Sequence, residues 1–273
     1  MESRGFYIHL QKRYIVSMMT NEGFQLFLWI MSGIALCVFV ALYFVRAGYG
    51  IFRSASWGYS INNKWAWVLM EAPVFFVMLY LWRESGTGFS MPQFLFFLLF
   101  QLHYLQRSFL FPLLMKGKGR MPLTIMAMGI LFNVLNGGMQ AGGLFYFAPA
   151  AYGEGWNYLL APHALLGGLL FVLGMAVNLH SDHVIRSLRQ PGDTRHYLPA
   201  KGMYRYVTSA NYLGELVEWT GFAILTASPA AWVFVWWTFA NLVPRAHAIH
   251  QRYRREFGDE AVGSRKRIIP YIY

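Results

Sequence analysis

The sequence predicts an all-α, polytopic membrane protein forming a single domain, 1–273, and three observations carry that expectation. Hydrophobic residues make up 56% of the chain and charged residues only 13%, about half the charged share of an ordinary soluble domain. Apolar runs recur at lengths near or above the roughly 20 residues that a helix needs to cross a bilayer, and only helices or closed barrels satisfy their backbone there. No repeat on the scale of roughly 20 to 50 residues and no low-complexity tract divides the chain.

Seven apolar segments are predicted as spans: 23–45, 65–82, 89–115, 121–151, 156–179, 206–227 and 229–244. Segment one follows a polar stretch, Met1 to Glu22, and is too long for a signal-peptide core, so it reads as a genuine span with no cleavable leader. It holds the single cysteine, Cys37, which excludes a disulfide framework and a cysteine-based metal site. Segment two carries Glu71 in "WAWVLMEAPVFF", and segment three carries His103, Tyr104 and Arg107 in "QLHYLQRSF". Segment five runs on into "NLHSDHVIRSLR", a helix that Pro191-Gly192 should end. Segments six and seven are separated only by Ser228-Pro229 and should form a tight helical hairpin.

The net charge is +11, and its placement fixes an orientation. With seven spans, one side collects Arg46, Arg53, Lys64, Lys116, Lys118, Arg120, Arg186, Arg189, Arg195, Lys201, Arg205 and the basic tail from Arg245 to Arg267. The other side holds Arg4, Lys12, Arg13 and Arg83. The bias predicts an N-terminus outside and a C-terminus in the cytoplasm. Topology and a phosphate ligand account for the basic tail, so membrane lipid is an expected neighbour and nucleic acid is not.

Carboxylates inside spans cost about 2.5–3.5 kcal/mol to insert, which makes each a functional candidate. In "SANYLGELVEW", Asn211, Glu215 and Glu218 fall at i, i+4 and i+7 and share one helix face. Asn178, Asp182 and Arg189 form a second stripe with Arg186 beside it. Both approach the membrane from the same inner side, so they should line one pocket, with amides and carboxylates deep and guanidinium groups at the mouth. That pattern suits a ligand with a polar ring at one end and phosphates at the other, as in a nicotinamide dinucleotide. A G-x-G-x-x-G loop is absent, so side chains must hold the phosphates. Arg186, Arg189, Lys116 and Lys118 at the inner mouth predict NADPH over NADH. Glu71 follows Trp67 by one helical turn among bulky apolar groups that should hinder its ionisation. The competing account of His103, Tyr104 and Arg107 is a structural network, with Arg107 as the counter-ion of Glu71.

At these residues the chain resembles the steroid 5α-reductase family of membrane enzymes. "NLHSDHVIRSLR", "GMYRYVTSANYLGELVEW", "RAHAIHQRYRREF" and "SRKRIIPYIY" follow that family's C-terminal signature in order and spacing, while "LMEAPVFF" and "LHYLQRSF" follow its substrate half. The resemblance covers approximately 60–273. It implies a seven-helix fold, NADPH as hydride donor, and reduction of the 4,5 double bond of a small apolar 3-oxo-Δ4 steroid. It further implies that Asn178, Asp182, Asn211 and Glu215 hold the nicotinamide end, with Glu218 completing their stripe. Arg189, Arg245, His250, Tyr253 and Arg265 would serve the adenosine and phosphate end. Glu71 and Tyr104 would hold the substrate carbonyl as the catalytic pair, with Trp67, Met70 and Arg107 lining the substrate site.

Three departures from the family pattern stand out. Met70 occupies a position where vertebrate members carry glutamine. "RHYLP" places Tyr197 one residue later than relatives place a tyrosine, so His196 or Tyr197 fills that role. "GDEAVGSRK" replaces a shorter acidic linker before Arg265. The expected organisation is a substrate half at about 23–115 and an NADPH half at about 116–273, in a monomer without a metal. The expected location is a bacterial inner membrane or an endoplasmic-reticulum-like membrane. Competing functions are an enoyl-CoA or polyprenal reductase, an isoprenyl-cysteine or phospholipid methyltransferase, and a transporter or receptor. The last is disfavoured by the missing internal repeat and the one-sided polar groups.

Overall fold

The structure, a computed structural model, describes residues 19–273 apart from 47, 49, 53, 191 and 194. The N-terminal arm with Arg4, Lys12 and Arg13, together with Arg53 and Pro191, lies outside the described residues.

Seven long helices follow one another: α1 (Asn21–Phe44), α2 (Asn63–Ser85), α3 (Met91–Leu105), α4 (Leu123–Ala141), α5 (Pro162–Ser187), α6 (Ala210–Thr226) and α7 (Pro229–Phe257). Among the described residues, five helical stretches are long and apolar enough to cross a membrane: α1, α2, Met91–Leu114, Leu123–Tyr146 and α5. This is a mostly helical multi-pass membrane protein. The α6 helix has 17 residues and carries Glu215 and Glu218, and α7 is apolar only in its first half. The expected hairpin between them is present: Ala227 adopts a left-handed conformation (φ 48°), and Pro229 opens α7 after Ser228.

Local chemistry sets the helix ends. The Thr20 hydroxyl accepts from the Gly23 amide at 3.1 Å at the start of α1, and the Asn62 side chain accepts from the Lys64 amide at 2.9 Å at the start of α2. Gly86, at φ 72°, closes α2 in the left-handed conformation that glycine adopts without steric cost. Two features were not expected from the sequence. A two-stranded antiparallel ribbon pairs β1 (Ser60–Asn62) with β2 (Arg120–Pro122), tying the start of α2 to that of α4. Single π-turns also extend α3 over Gln106–Leu110 and α4 over Gly142–Tyr146. Such bulges concentrate at functional sites, and the first directly follows Tyr104.

The closest helix pair is α5 with α6, and glycine makes it possible. A Cβ added to Gly167, Gly174, Gly214 or Gly221 would lie 2.2–2.4 Å from a backbone nitrogen of the facing helix. The glycines repeat every seven residues on each helix, so they form one seam along which the two backbones touch. The seam sets Gly174 against Glu218 and Gly214 against Asn178, which fixes the relative height of the two polar stripes. Around it packs an aromatic core, in which Trp219 lies 5.8 Å from Phe100 and 4.6 Å from Phe234 between ring centroids.

Candidate active site

The two stripes meet through the Arg107 side chain, which the π-turn of α3 projects between them. Its Nη1 lies 3.4 Å from Asp182 Oδ2 and its Nη2 4.0 Å from Glu215 Oε2. Its guanidinium also lies over the rings of Trp67, at 4.9 Å, and Phe111, at 4.7 Å, a stacking that suits the planar arginine head. Arg107 therefore joins the carboxylates of α5 and α6 to an aromatic wall made by Trp67 of α2 and Phe111 of the helical extension of α3. Among the described residues its ion-pair contacts are with Asp182 and Glu215 and none is with Glu71, whose Oε2 accepts from Asn133 Nδ2 at 3.4 Å.

The nicotinamide-end candidates adjoin one another. Asn178 Nδ2 donates to the Asn211 carbonyl at 2.9 Å, and Asn211 Nδ2 donates to Asp182 Oδ1 at 3.3 Å. The Tyr204 hydroxyl gives its proton to Asn211 Oδ1 at 3.2 Å, which fixes that amide's orientation. Glu215, with 17% of its side chain exposed, faces this cluster. Glu218 departs from its stripe: it is wholly buried, with Oε1 2.7 Å from His103 Nδ1, so it engages α3.

The carbonyl-clamp candidates are held from α4. Asn136 Nδ2 donates to the Tyr104 hydroxyl oxygen at 3.1 Å, one helical turn beyond the Asn133 that reaches Glu71. Trp67 packs on Phe111 at 5.4 Å. Met70 is turned against α4, where a Cβ on Gly129 would meet its Cγ at 2.3 Å.

The mouth is built differently. The α5 helix ends at Ser187, earlier than the expected stop at Pro191-Gly192, so Arg189 stands beyond the helix in the loop. There the Gly192 amide donates to the Lys116 carbonyl at 2.9 Å, which lays the Lys118 loop across Arg189 and Gly192. Arg186 Nη1 is buried without a hydrogen-bond partner among the described residues. The Tyr197 hydroxyl donates to Asp193 Oδ2 at 2.5 Å. That bond, with the Arg195 amide, holds the Asp193 carboxyl below the usual carboxylate range. Arg245 Nε donates to the Tyr212 hydroxyl at 2.8 Å. His250 Nδ1 lies 3.2 Å from the Thr208 hydroxyl. Burial, with Arg267 and Arg254 nearby, pushes its imidazole below the usual value. His250 also lines a cavity of about 260 Å³ with Gly263, Ser264, Arg265, Lys266 and Arg267. Burial pushes the Tyr253 phenol up to about 12. Arg265 donates to the carbonyls of Pro199, Val262 and Ala261, so its guanidinium staples the tail to the preceding loop.

Asn133 and Asn136 were absent from the sequence-derived candidates. The signal was available: two primary amides spaced i, i+3 inside the apolar run "FNVLNGG" are as anomalous in hydrocarbon as the carboxylates that were singled out. No group of three or more His, Cys, Asp or Glu side chains among the described residues is placed to hold a metal ion.

The chain is similar in sequence to known proteins. The family profile described as 3-oxo-5-alpha-steroid 4-dehydrogenase matches residues 119–273. The chain is 37% identical over 241 residues to 3-oxo-5-alpha-steroid 4-dehydrogenase 1 of Mus musculus, covering 88% of this chain and 92% of the relative. It is 39% identical over 210 residues to the Homo sapiens protein of the same name, covering 76% and 79%. It is 36% identical over 247 residues to steroid 5-alpha-reductase DET2 of Gossypium hirsutum, covering 88% and 93%. Agreement over most of the chain and most of each relative makes this protein a member of the steroid 5-alpha-reductase family.

Proposed function

We propose that this protein is a membrane reductase that uses NADPH to saturate the 4,5 double bond of 3-oxo-Δ4 steroids, giving 5α-dihydro products. The observation that carries this reading is the juxtaposition across Arg107: Asp182 and Glu215 lie on one side and the aromatic wall of Trp67 and Phe111 on the other. A nicotinamide held on the first side would face an apolar ketone held on the second. The donor set fits the cofactor, because Arg186 Nη1 is buried with no hydrogen-bond partner among the described residues and can take an anion, and the Asn178, Asp182 and Asn211 amide and carboxylate groups suit a carboxamide.

When bound, NADPH would supply a hydride to C5 of the enone; negative charge would build on the C3 oxygen, and collapse of that enolate would take one proton at C4, from Tyr104 or from water, to give the dihydro ketone. Tyr104 gives its phenolic proton in a hydrogen bond to that oxygen, and Glu71, in its carboxylic acid form, gives a second. Preorganised donors of this kind in a dry pocket are worth about 2.7–4 kcal/mol each in the transition state. Asn178, Asp182, Asn211 and Glu215 orient the nicotinamide. Arg186, Arg189, Lys118, Tyr197, Arg245, His250, Tyr253 and Arg265 serve the phosphate and adenosine end. Trp67 and Met70 wall the steroid.

In this reading all seven helices span the membrane, with the N-terminus outside and the C-terminus and cofactor mouth in the cytoplasm. The substrate half, about 23–115, and the cofactor half, about 116–273, meet where α4 reaches back to Glu71 and Tyr104. Purified monomeric protein incubated with NADPH and progesterone should yield the product two mass units heavier. No dihydro product from progesterone or testosterone, with turnover of an enoyl-CoA instead, would overturn the assignment.

A further inference from the structure

The catalytic reading leaves open how two neutral donors come to point the same way, and α4 supplies an answer. Asn136 is wholly buried in an apolar helix, and its Oδ1 has no hydrogen-bond partner among the described residues. Its one hydrogen bond among them runs from Nδ2 to the Tyr104 hydroxyl oxygen at 3.1 Å. A primary amide in hydrocarbon that leaves its carbonyl unsatisfied is poor packing glue, since glue gains by bonding at both ends. Its effect on the phenol is directional. With one lone pair filled by Asn136, the oxygen keeps its own proton for another acceptor, and none is present among the described residues.

Asn133 repeats the arrangement one turn earlier. Its Nδ2 donates to the Met70 carbonyl at 2.8 Å and lies 3.4 Å from Glu71 Oε2. A backbone carbonyl only accepts, so the amide nitrogen, not its oxygen, must face Glu71. Oε2 is thereby an acceptor, and a carboxylic acid proton belongs on the other oxygen. Residues three apart on a helix share a face, so one face of α4 donates into both clamp groups from behind.

We infer that Asn133 and Asn136 are positioning residues that fill the rear lone pairs of Glu71 and Tyr104 and so direct both protons toward the substrate oxygen. The inference rests on the carbonyl-clamp reading of Glu71 and Tyr104. It has a consequence for substrate class: a site presenting two donors at one point selects a group that only accepts there, a ketone or aldehyde oxygen. Accepting a hydrogen bond also makes a phenol a better donor, so Asn136 acts on rate through Tyr104 alone.

The test is a double-mutant cycle on kcat, with NADPH binding read by quenching of tryptophan fluorescence. Asn136→Leu, close in shape, should lower kcat about fivefold to tenfold, the worth of one modest hydrogen bond, with NADPH affinity near wild type. In a Tyr104→Phe background the same change should alter kcat by less than about twofold, because its target is already gone. An equal loss in both backgrounds, or wild-type kcat for Asn136→Leu alone, overturns the inference. Wild-type turnover by Tyr104→Phe would instead overturn the clamp itself, so the two failures are distinct. Should Asn136→Leu not bind NADPH at all, Asn136→Ser, too short to reach the phenol, is taken through the same cycle with the same expectations.

Discussion

The deep polar cluster and the cofactor mouth are both rich in charge, yet they are held by opposite means. In the cluster, side chains on rigid helices bond to one another: Arg107 to Asp182, Asn211 to Asp182, Asn136 to Tyr104. At the mouth, the same kinds of groups bond to loops and to backbone: Arg265 to three carbonyls, Tyr197 to Asp193, and the 206–209 segment to the tail through Thr208 and Ser209. The difference teaches where precision is needed. Charge development at one oxygen requires dipoles fixed to a fraction of an ångström, which packed helices provide. In the proposed reading a dinucleotide enters and leaves at the mouth, and loops bonded through a few backbone groups open at lower cost.

The largest expected effect breaks the rigid side of this contrast. Gly214→Val places a side chain where even a Cβ would lie 2.4 Å from the Asn178 nitrogen. Parting the α5–α6 seam should cost at least about 1–3 kcal/mol and abolish both NADPH binding and turnover. Gly168→Ala, where nothing lies within 4 Å, should behave like wild type in a thermal-shift and activity assay. A fully active Gly214→Val protein would mean the seam does not set the site.

A smaller effect sharpens the mouth. Arg189, off the end of α5 in the loop, should contribute binding and not chemistry. Arg189→Ala should raise the KM for NADPH about tenfold or more, as for loss of a charge-assisted hydrogen bond, with kcat within about twofold. A fall in kcat at unchanged KM would place Arg189 with the rigid cluster.

The smallest effect concerns pH. Burial lowers His250 and His196 below the ordinary imidazole value, with nearby arginines adding to the shift. Their folded-state values lie below the unfolded one, so the unfolded chain binds protons first as pH falls. These two imidazoles therefore contribute stability that is full above about pH 6.5 and declines as pH drops from there toward the depressed folded values. Bound NADPH should blunt the decline, because its phosphates favour the charged imidazole. A melting temperature that rises on acidification from pH 7 to 5.5 would contradict the sign.

Much of the fold was legible because hydrocarbon imposes it: the segments, the hairpin at Ser228-Pro229, and the stripes at 178/182 and 211/215 all come from length and helical period. Period assigns residues to a face of one helix but says nothing about which neighbour that face meets. Hence period groups Glu218 with Glu215, although a further turn brings it to His103, and it leaves unseen that the ion-pair contacts of Arg107 are with Asp182 and Glu215. The π-turn at Gln106–Leu110 adds to this, since an inserted residue rotates the rest of the helix by about 100°. The β1–β2 ribbon escaped notice because three-residue strands leave no alternation to read.

The glycine seam carries one more consequence, for life in bilayers of differing thickness. A helix accommodates a thicker or thinner membrane by tilting, and two helices in backbone contact over four glycines tilt as a single rod. The outer face of α5, with Leu165, Leu169 and Val172 exposed, takes up the change in lipid contact, while the spacing between Asp182 and Asn211 on its inner side stays constant. The seam thus keeps Asp182 of α5 and Asn211 of α6 in register as the pair tilts.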